Sequence, residues 1–393
     1  MSTVLPQADA TVSQEKAAPN VLPRLDGIDG LRGFACLMVL FGHAWIHSGQ
    51  HVYLLWDVGR LHLSPWHFFA YGYGGVDIFF VLSGFCLAYP IISRPERPVD
   101  WPRYFGHRIR RIIPPYWFAL ALFAILSLLI HHRHIEPFAS DHILEWQSNR
   151  HLIEAVLLVS TVFNTSFWTL PVEWRWYFVF PLFIWLWRRV RGSGVTAVMI
   201  PISLFSVFVY QPYFSPRAQF LTTSLPTFLP LFALGVWTAQ IVSKSSRNVW
   251  ESWLVRHALA GLMLSVALVA LMAPLWTSPP SIHMNVTRLV AWGALGFFAV
   301  LASTQSGGVI SRIASWRPLV SVGIFSYSLY LVHEPLLRMA AALVVPRHLS
   351  PAPQLLFQFL CPTVIIGFSY LFFLAFEKPF LRKSARAPKP AAP

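Results

Sequence analysis

Apolar residues fall into ten blocks along the 393-residue chain, at about 31–48, 70–92, 113–131, 167–187, 194–210, 221–242, 254–273, 286–303, 319–345 and 354–376. As helices, each is long enough, or nearly so, to cross a hydrocarbon core of about 30 Å. A shorter block at 152–165, flanked by charges, predicts an interfacial or re-entrant helix rather than a span. The pattern predicts an all-α polytopic helical bundle of about ten transmembrane helices. Lysine and arginine set its orientation. Of the 30 such residues, 22 fall on one side of the alternating topology, 6 on the other, and Arg175 and Arg338 lie within blocks. That asymmetry puts both termini in the cytoplasm, as an even number of crossings requires. Residues 1–24 read as a disordered tail, 25–381 as the membrane domain, and 382–393 as a disordered basic tail. The first segment has no charged region followed by a cleavage site, so the first apolar block reads as a retained signal anchor.

Composition supports the membrane reading. The chain is 55% hydrophobic and 12% charged, with a mean hydropathy of +0.54, more apolar surface than a soluble domain of this size hides. The formal charge of +14 lies in short clusters between apolar blocks rather than on one face, which argues against a nucleic-acid surface. Cys36, Cys86 and Cys361 each sit in an apolar block and form no disulfide framework or zinc spacing. No internal repeat is visible, which counts against a transporter built from duplicated halves.

Ionisable residues inside apolar helices are expected to serve a function. In the first block Arg32 and His43 are separated by ten residues, about three turns, and share one face at depths about 16 Å apart. The second block carries Asp77 in Gly74-Gly75-Val76-Asp77-Ile78-Phe79-Phe80. Asp77 is equally a structural partner for a buried arginine such as Arg175 or a group that orients a catalytic histidine. Before the third block, Arg108 and Arg111 lie three apart on one helical face. There they are either an ordinary positive-inside cluster or a pair of forks for the phosphates of an anionic cosubstrate. The fourth block holds Glu173 amid aromatics, and a belt of interfacial tryptophans does not explain a glutamate. In the ninth, Ser326, Tyr330 and His333 stand at i, i+4 and i+7 and share a face. The run His131-His132-Arg133-His134 has no carboxylate at ligand spacing and reads as a solvated loop; no metal site is expected.

At ~1.5 Å per residue, His43 and His333 fall ~18 and ~21 Å from the cytoplasmic face, and Asp77 and Glu173 ~20 Å from it. The sequence thus predicts one buried layer of four ionisable groups, with Arg32, Arg108 and Arg111 at a cytoplasmic mouth.

Taken in order, the Arg32–His43 spacing, the GVDIFFVLSGF run, Arg108 and Arg111 before Ile-x-Pro, FWTLPVEW and SYSLYLVHEP resemble the acyltransferase-3 family of integral membrane O-acyltransferases. The resemblance runs from about residue 25 to 380. It implies about ten spans and transfer of an acyl group, often acetyl, from cytoplasmic acyl-CoA to a carbohydrate hydroxyl. The shape of the chain resembles the stand-alone form, without the extracytoplasmic hydrolase-like domain some members append. His107 departs from the pattern, since many relatives have a further arginine there. The resemblance implies His43 as the essential catalytic residue, acting as base or as acyl relay. Asp77 or Glu173 would fix its tautomer, and Ser326 or Tyr330 would contact the oxyanion or acceptor. Arg32, Arg108 and Arg111 would hold the phosphates of coenzyme A, and His333 would be a second proton carrier or a structural residue.

The expected partners are acyl-CoA (acetyl-CoA first) as cosubstrate, a carbohydrate or glycolipid acceptor and the lipid bilayer. No bound cofactor and no nucleic acid are expected. The expected location is the cell membrane, the inner one in a Gram-negative source. Two alternatives are a proton-coupled transporter or flippase using the same polar layer, and an assembly partner in an envelope complex. Surface polysaccharide, lipid-linked oligosaccharide, peptidoglycan, a glycolipid and a small metabolite all fit as acceptor.

Overall fold

The apolar blocks are helical in the computed structural model, which describes residues 25–49, 56–58, 61–63, 66–136, 138, 144, 149–158, 164–210, 225–243, 248–272, 282–344 and 351–381. The main helices are α1 (Asp26–His47), α2 (Gly74–Ile92), α3 (Trp101–His132), α4 (Asn149–Val156), α5 (Thr169–Phe205), α6 (Leu225–Val242), α7 (Val249–Arg256), α8 (Ala258–Met272), α9 (Ile282–Ser303), α10 (Val309–Ala314), α11 (Arg317–Ile324), α12 (Ser326–Val344) and α13 (Pro351–Phe372). A two-stranded antiparallel hairpin, β1 (Trp56–Val58) and β2 (Leu61–Leu63), supplies the strands among the described residues. The expectations for the two tails fall outside them.

Among the described residues four stretches are long and apolar enough to cross a membrane: Gly74–Ile92, Trp101–His132, Ser166–Val209 and Pro353–Phe380. A fifth arises if Val249–Arg256 and Ala258–Leu271, bent by 68°, form one broken span. Helix α1 is 22 residues long, but Arg32, His43 and His47 interrupt its apolar character. The fourth and fifth blocks join in α5, where Arg191 alone leaves helical geometry (φ 65°, ψ 179°). The block at 152–165 is described only in part. It gives α4, eight residues long, and a short 3-10 helix at Thr165–Trp168.

Local chemistry fixes the ends. The Asp100 side chain accepts from Arg103 N at 3.0 Å and starts α3, with Pro102 in the first turn where a missing N–H costs nothing. Asn248 and Glu251 form a reciprocal capping box on α7. Buried Glu251 also accepts from Gln240 Nε2 at 2.7 Å and Trp237 Nε1 at 3.1 Å, while Gln240 accepts from Trp187 Nε1 and Gly192 N, both at 2.8 Å. This network pins the turn in α5 to α6 and α7.

The core centres on α2, α5 and α6, where Trp176 stacks on Phe232 with ring centroids 3.9 Å apart. Helices α2 and α6 meet through Gly84 and Gly235. A Cβ on Gly84 would lie 2.2 Å from the Phe232 carbonyl oxygen, so only glycine permits this approach. Helix α1 runs through the bundle and touches α2, α9, α10, α11, α12 and α13. At its base Gly33 meets Gly323 of α11, and a Cβ on Gly33 would lie 2.1 Å from the Leu319 oxygen. These contacts decide which faces of α1 remain for chemistry.

Candidate active site

Helices α1, α2, α3, α5 and α12 enclose a cavity of about 140 Å³. Arg32, Arg108, Arg111, Glu173, Tyr177, Ser326 and Tyr330 line it, with an apolar wall from α2. The three arginines thus line one cavity. Arg32 pairs with Asp29 at 3.6 Å. Arg108 sits over the rings of Tyr104 and Tyr177, 5.6 and 5.7 Å from their centroids. Its buried Nε makes no hydrogen bond, and neither Arg108 nor Arg111 is in an ion pair within 4 Å among the described residues. Guanidinium groups withdrawn from water without a contacting counter-ion are costly, and a bound anion offsets that cost.

Glu173 belongs to this cavity and accepts from Tyr177 Oη at 2.6 Å. Tyr330 donates to the Ser166 carbonyl, and Thr169 Oγ1 lies 2.5 Å from the same hydroxyl. Ser326 Oγ donates to Gly323 O at 2.9 Å. Both expected oxyanion contacts thus line the cavity with their protons committed to backbone carbonyls. Tyr330 is the link to the second constellation, its ring centroid 5.7 Å from that of His333.

There, His43 Nδ1 and His333 Nε2 are 2.9 Å apart, with the rings stacked at 5.1 Å. The tautomers follow from the remaining contacts. His333 Nδ1 faces the Tyr330 and Leu329 carbonyl oxygens at 2.9 and 3.2 Å. Carbonyls only accept, so Nδ1 of neutral His333 carries the proton and its Nε2 accepts from His43 Nδ1–H. This makes Nε2 the basic nitrogen of His43. His333 is fully buried, and the His43 side chain is 29% exposed.

The expected four-residue layer divides. His43 and His333 meet, whereas Glu173 joins the arginines. Asp77 is fully buried on α2, and it is not in the cavity lining. The carboxylate nearest His43 is Glu334, with Oε2 3.9 Å from His43 Nδ1 and 3.1 Å from His47 Nε2. Sequence reasoning passed over both Glu334 and His47. The available signal was that His47 stands one turn beyond His43 on the same face. Among the described residues no cluster of three or more His, Cys, Asp or Glu is placed to hold a metal.

A helical membrane-type protein with a cationic cavity and a hydrogen-bonded histidine pair is the class that these features define. The chain matches the acyltransferase domain model Acyl_transf_3 over residues 25–374 and belongs to that family. It is an acyltransferase. Its relatives include the O-acetyltransferase OatA of Staphylococcus aureus, 22% identical over 94% of this chain and 59% of OatA. They also include YrhL of Bacillus subtilis, named as a candidate peptidoglycan O-acetyltransferase, 24% identical over 80% of this chain and 48% of YrhL. A third is ORF330 of Acidianus two-tailed virus, named as a candidate acetyltransferase, 27% identical over 80% of this chain and 84% of that protein. The chain thus spans about half the length of OatA and YrhL. No solved structure matches it.

Proposed function

We propose that this protein transfers an acetyl group from cytoplasmic acetyl-CoA to a hydroxyl of a carbohydrate or glycolipid, within a bundle of ten crossings with both termini cytoplasmic. The observation that carries the reading is the cavity. Among the described residues its Arg108 and Arg111 have no carboxylate in ion-pair contact, and its wall at Tyr330 abuts the His333–His43 pair. Arg108 and Arg111, with Arg32, bind the phosphates of coenzyme A, for which planar guanidinium forks are suited. Glu173 orients Tyr177 and limits the net positive charge of the site.

The acceptor hydroxyl is a weak nucleophile and needs a base. His43 Nε2 takes its proton as the oxygen attacks the thioester carbonyl. The C–O bond forms, the C–S bond breaks, and coenzyme A leaves as thiolate, which takes a proton from water. His333 does for His43 what a carboxylate does in a triad: it accepts from Nδ1–H and holds the productive tautomer. The same geometry also permits acyl transfer through His43 itself. The name of one relative, YrhL, points toward peptidoglycan as one acceptor class.

The test is transfer of labelled acetyl from acetyl-CoA into the glycan fraction of membranes carrying this protein. Wild-type membranes should label glycan and His43→Ala membranes, with equal protein, should not. Full labelling by the variant would remove His43 from the mechanism, and no labelling by wild type would remove the proposed reaction.

A further inference from the structure

We infer that Glu334 is a positioning residue for His43 and that, with His47, it forms the route by which the abstracted proton leaves the site. The inference rests on the acyl-transfer reading above. Its observations are separate from the cavity: Glu334 Oε2 lies 3.9 Å from His43 Nδ1 and 3.1 Å from His47 Nε2, with the Glu334 side chain 5% exposed and that of His47 20% exposed.

The titratable groups in contact with His43 are His333 and Glu334 from α12, and His47 follows on α1 itself. From α13, the neutral Gln358 donates to the Phe41 carbonyl and Gln354 to Ser48. Glu334 is therefore the carboxylate whose charge the His43 ring meets most directly. When His43 Nε2 takes the hydroxyl proton, the ring becomes cationic. An acid held 3.9 Å from it stabilises that cation more strongly than water would, because the side chains are largely withdrawn from solvent.

The same oxygen completes a path. The imidazolium carries protons on both nitrogens, and Nδ1 faces both His333 Nε2 and Glu334 Oε2. A shift of about 1 Å brings the Nδ1–H to Glu334 within hydrogen-bonding range. The carboxylate accepts that proton and passes it to His47, which releases one to water from the last turn of α1. His43 is left neutral with its proton on Nε2, and exchange of one proton out at Nε2 and one in at Nδ1 with water at the partly exposed ring restores the Nδ1–H form. One proton enters at Nε2 and one leaves at His47, with no electrons exchanged.

The experiment uses the full chain in membranes with labelled acetyl-CoA, comparing wild type with Glu334→Gln, Glu334→Asp and His47→Gln. Glu334→Gln should lower kcat about 10- to 100-fold with the KM for acetyl-CoA within about threefold, since the residue acts on proton transfer and not on donor binding. Glu334→Asp should recover part of the loss, and His47→Gln should lower kcat by a smaller factor. An unchanged kcat in Glu334→Gln, or a rise confined to KM, overturns the inference while leaving the acyl-transfer reading in place. If Glu334→Gln does not accumulate in membranes, His47→Gln decides, and wild-type kcat there overturns the route. Absence of transfer by wild type removes the underlying reading instead.

Discussion

Replacing Arg108 with alanine tests the cavity most directly. The Arg108 guanidinium lies over Tyr104 and Tyr177, and its buried Nε has no hydrogen-bond partner. It is therefore held in place before any ligand arrives, and a phosphate meeting it gains a charge-assisted hydrogen bond at little ordering cost. Such a bond contributes about 1.5–3 kcal/mol. At about 1.4 kcal/mol per decade, Arg108→Ala should raise the KM for acetyl-CoA roughly 10- to 150-fold with kcat changed little. Arg108→Lys keeps the charge but loses the fork and the ring contacts, so it should fall between the two. The control is a truncated donor, acetyl-pantetheine, which lacks the nucleotide phosphates. Initial rates of labelled acetyl transfer in membranes, measured over a range of each donor, give the four constants. Wild type and Arg108→Ala should use acetyl-pantetheine equally. An equal penalty with both donors would show that Arg108 shapes the cavity rather than binding phosphate, and an unchanged KM for acetyl-CoA would refute the anion site.

Other consequences can be checked with the same assay. His333→Ala removes the acceptor of His43 Nδ1–H, 2.9 Å away, and should lower kcat about 10- to 100-fold. His333→Gln, whose amide oxygen can take that proton, should lose less. Gly84→Leu places a side chain where a Cβ alone would come 2.2 Å from the Phe232 oxygen; it should destabilise the bundle by about 1–3 kcal/mol or more, seen as a lower unfolding temperature in detergent. Glu251→Ala leaves the donors Gln240 Nε2 and Trp237 Nε1 without their acceptor and should cost about 1–3 kcal/mol per orphaned group by the same measurement.

Helix positions were legible because an apolar run of about 20 residues has few other solutions in a membrane. Breaks were less so. The arginine-rich stretch 188–191 reads as a loop, yet α5 continues through it with only Arg191 out of helical geometry, held by the Gln240–Glu251 network. That network joins residues about 50 positions apart, and a local pattern does not show it. The pairing of Arg108 with Arg111 was legible for the opposite reason, since i, i+3 spacing fixes a shared face within one helix. Depth was assigned from the sequence, as a sum of 1.5 Å steps. Azimuth was not. His43, Asp77, Glu173 and His333 were expected at similar depths, but the direction each takes depends on which glycine or aromatic face its helix presents to a neighbour. Asp77 is buried within α2 away from the cavity lining that Glu173 joins. Glu334 escaped notice because it adjoins His333, about 100° away around the helix, and one contact was expected to use only one of them.

The glycine contact at the base of α1 explains how two histidines 290 positions apart keep a 2.9 Å separation. Gly33 and Gly323 let the backbones of α1 and α11 meet with no side chain between them. His43 lies ten residues beyond Gly33, about 15 Å along the helix. A tilt of only about 4° at that fulcrum would displace His43 by about 1 Å, enough to end its hydrogen bond to His333. A larger residue at position 33 or 323 would therefore act on the histidine pair from a distance, through the lever arm of α1. The resemblance drew attention to Arg32 and His43 as a spacing. The structure adds that the residue beside Arg32 contacts α11, so the helix that would carry the proposed base would also set how accurately it meets its partner.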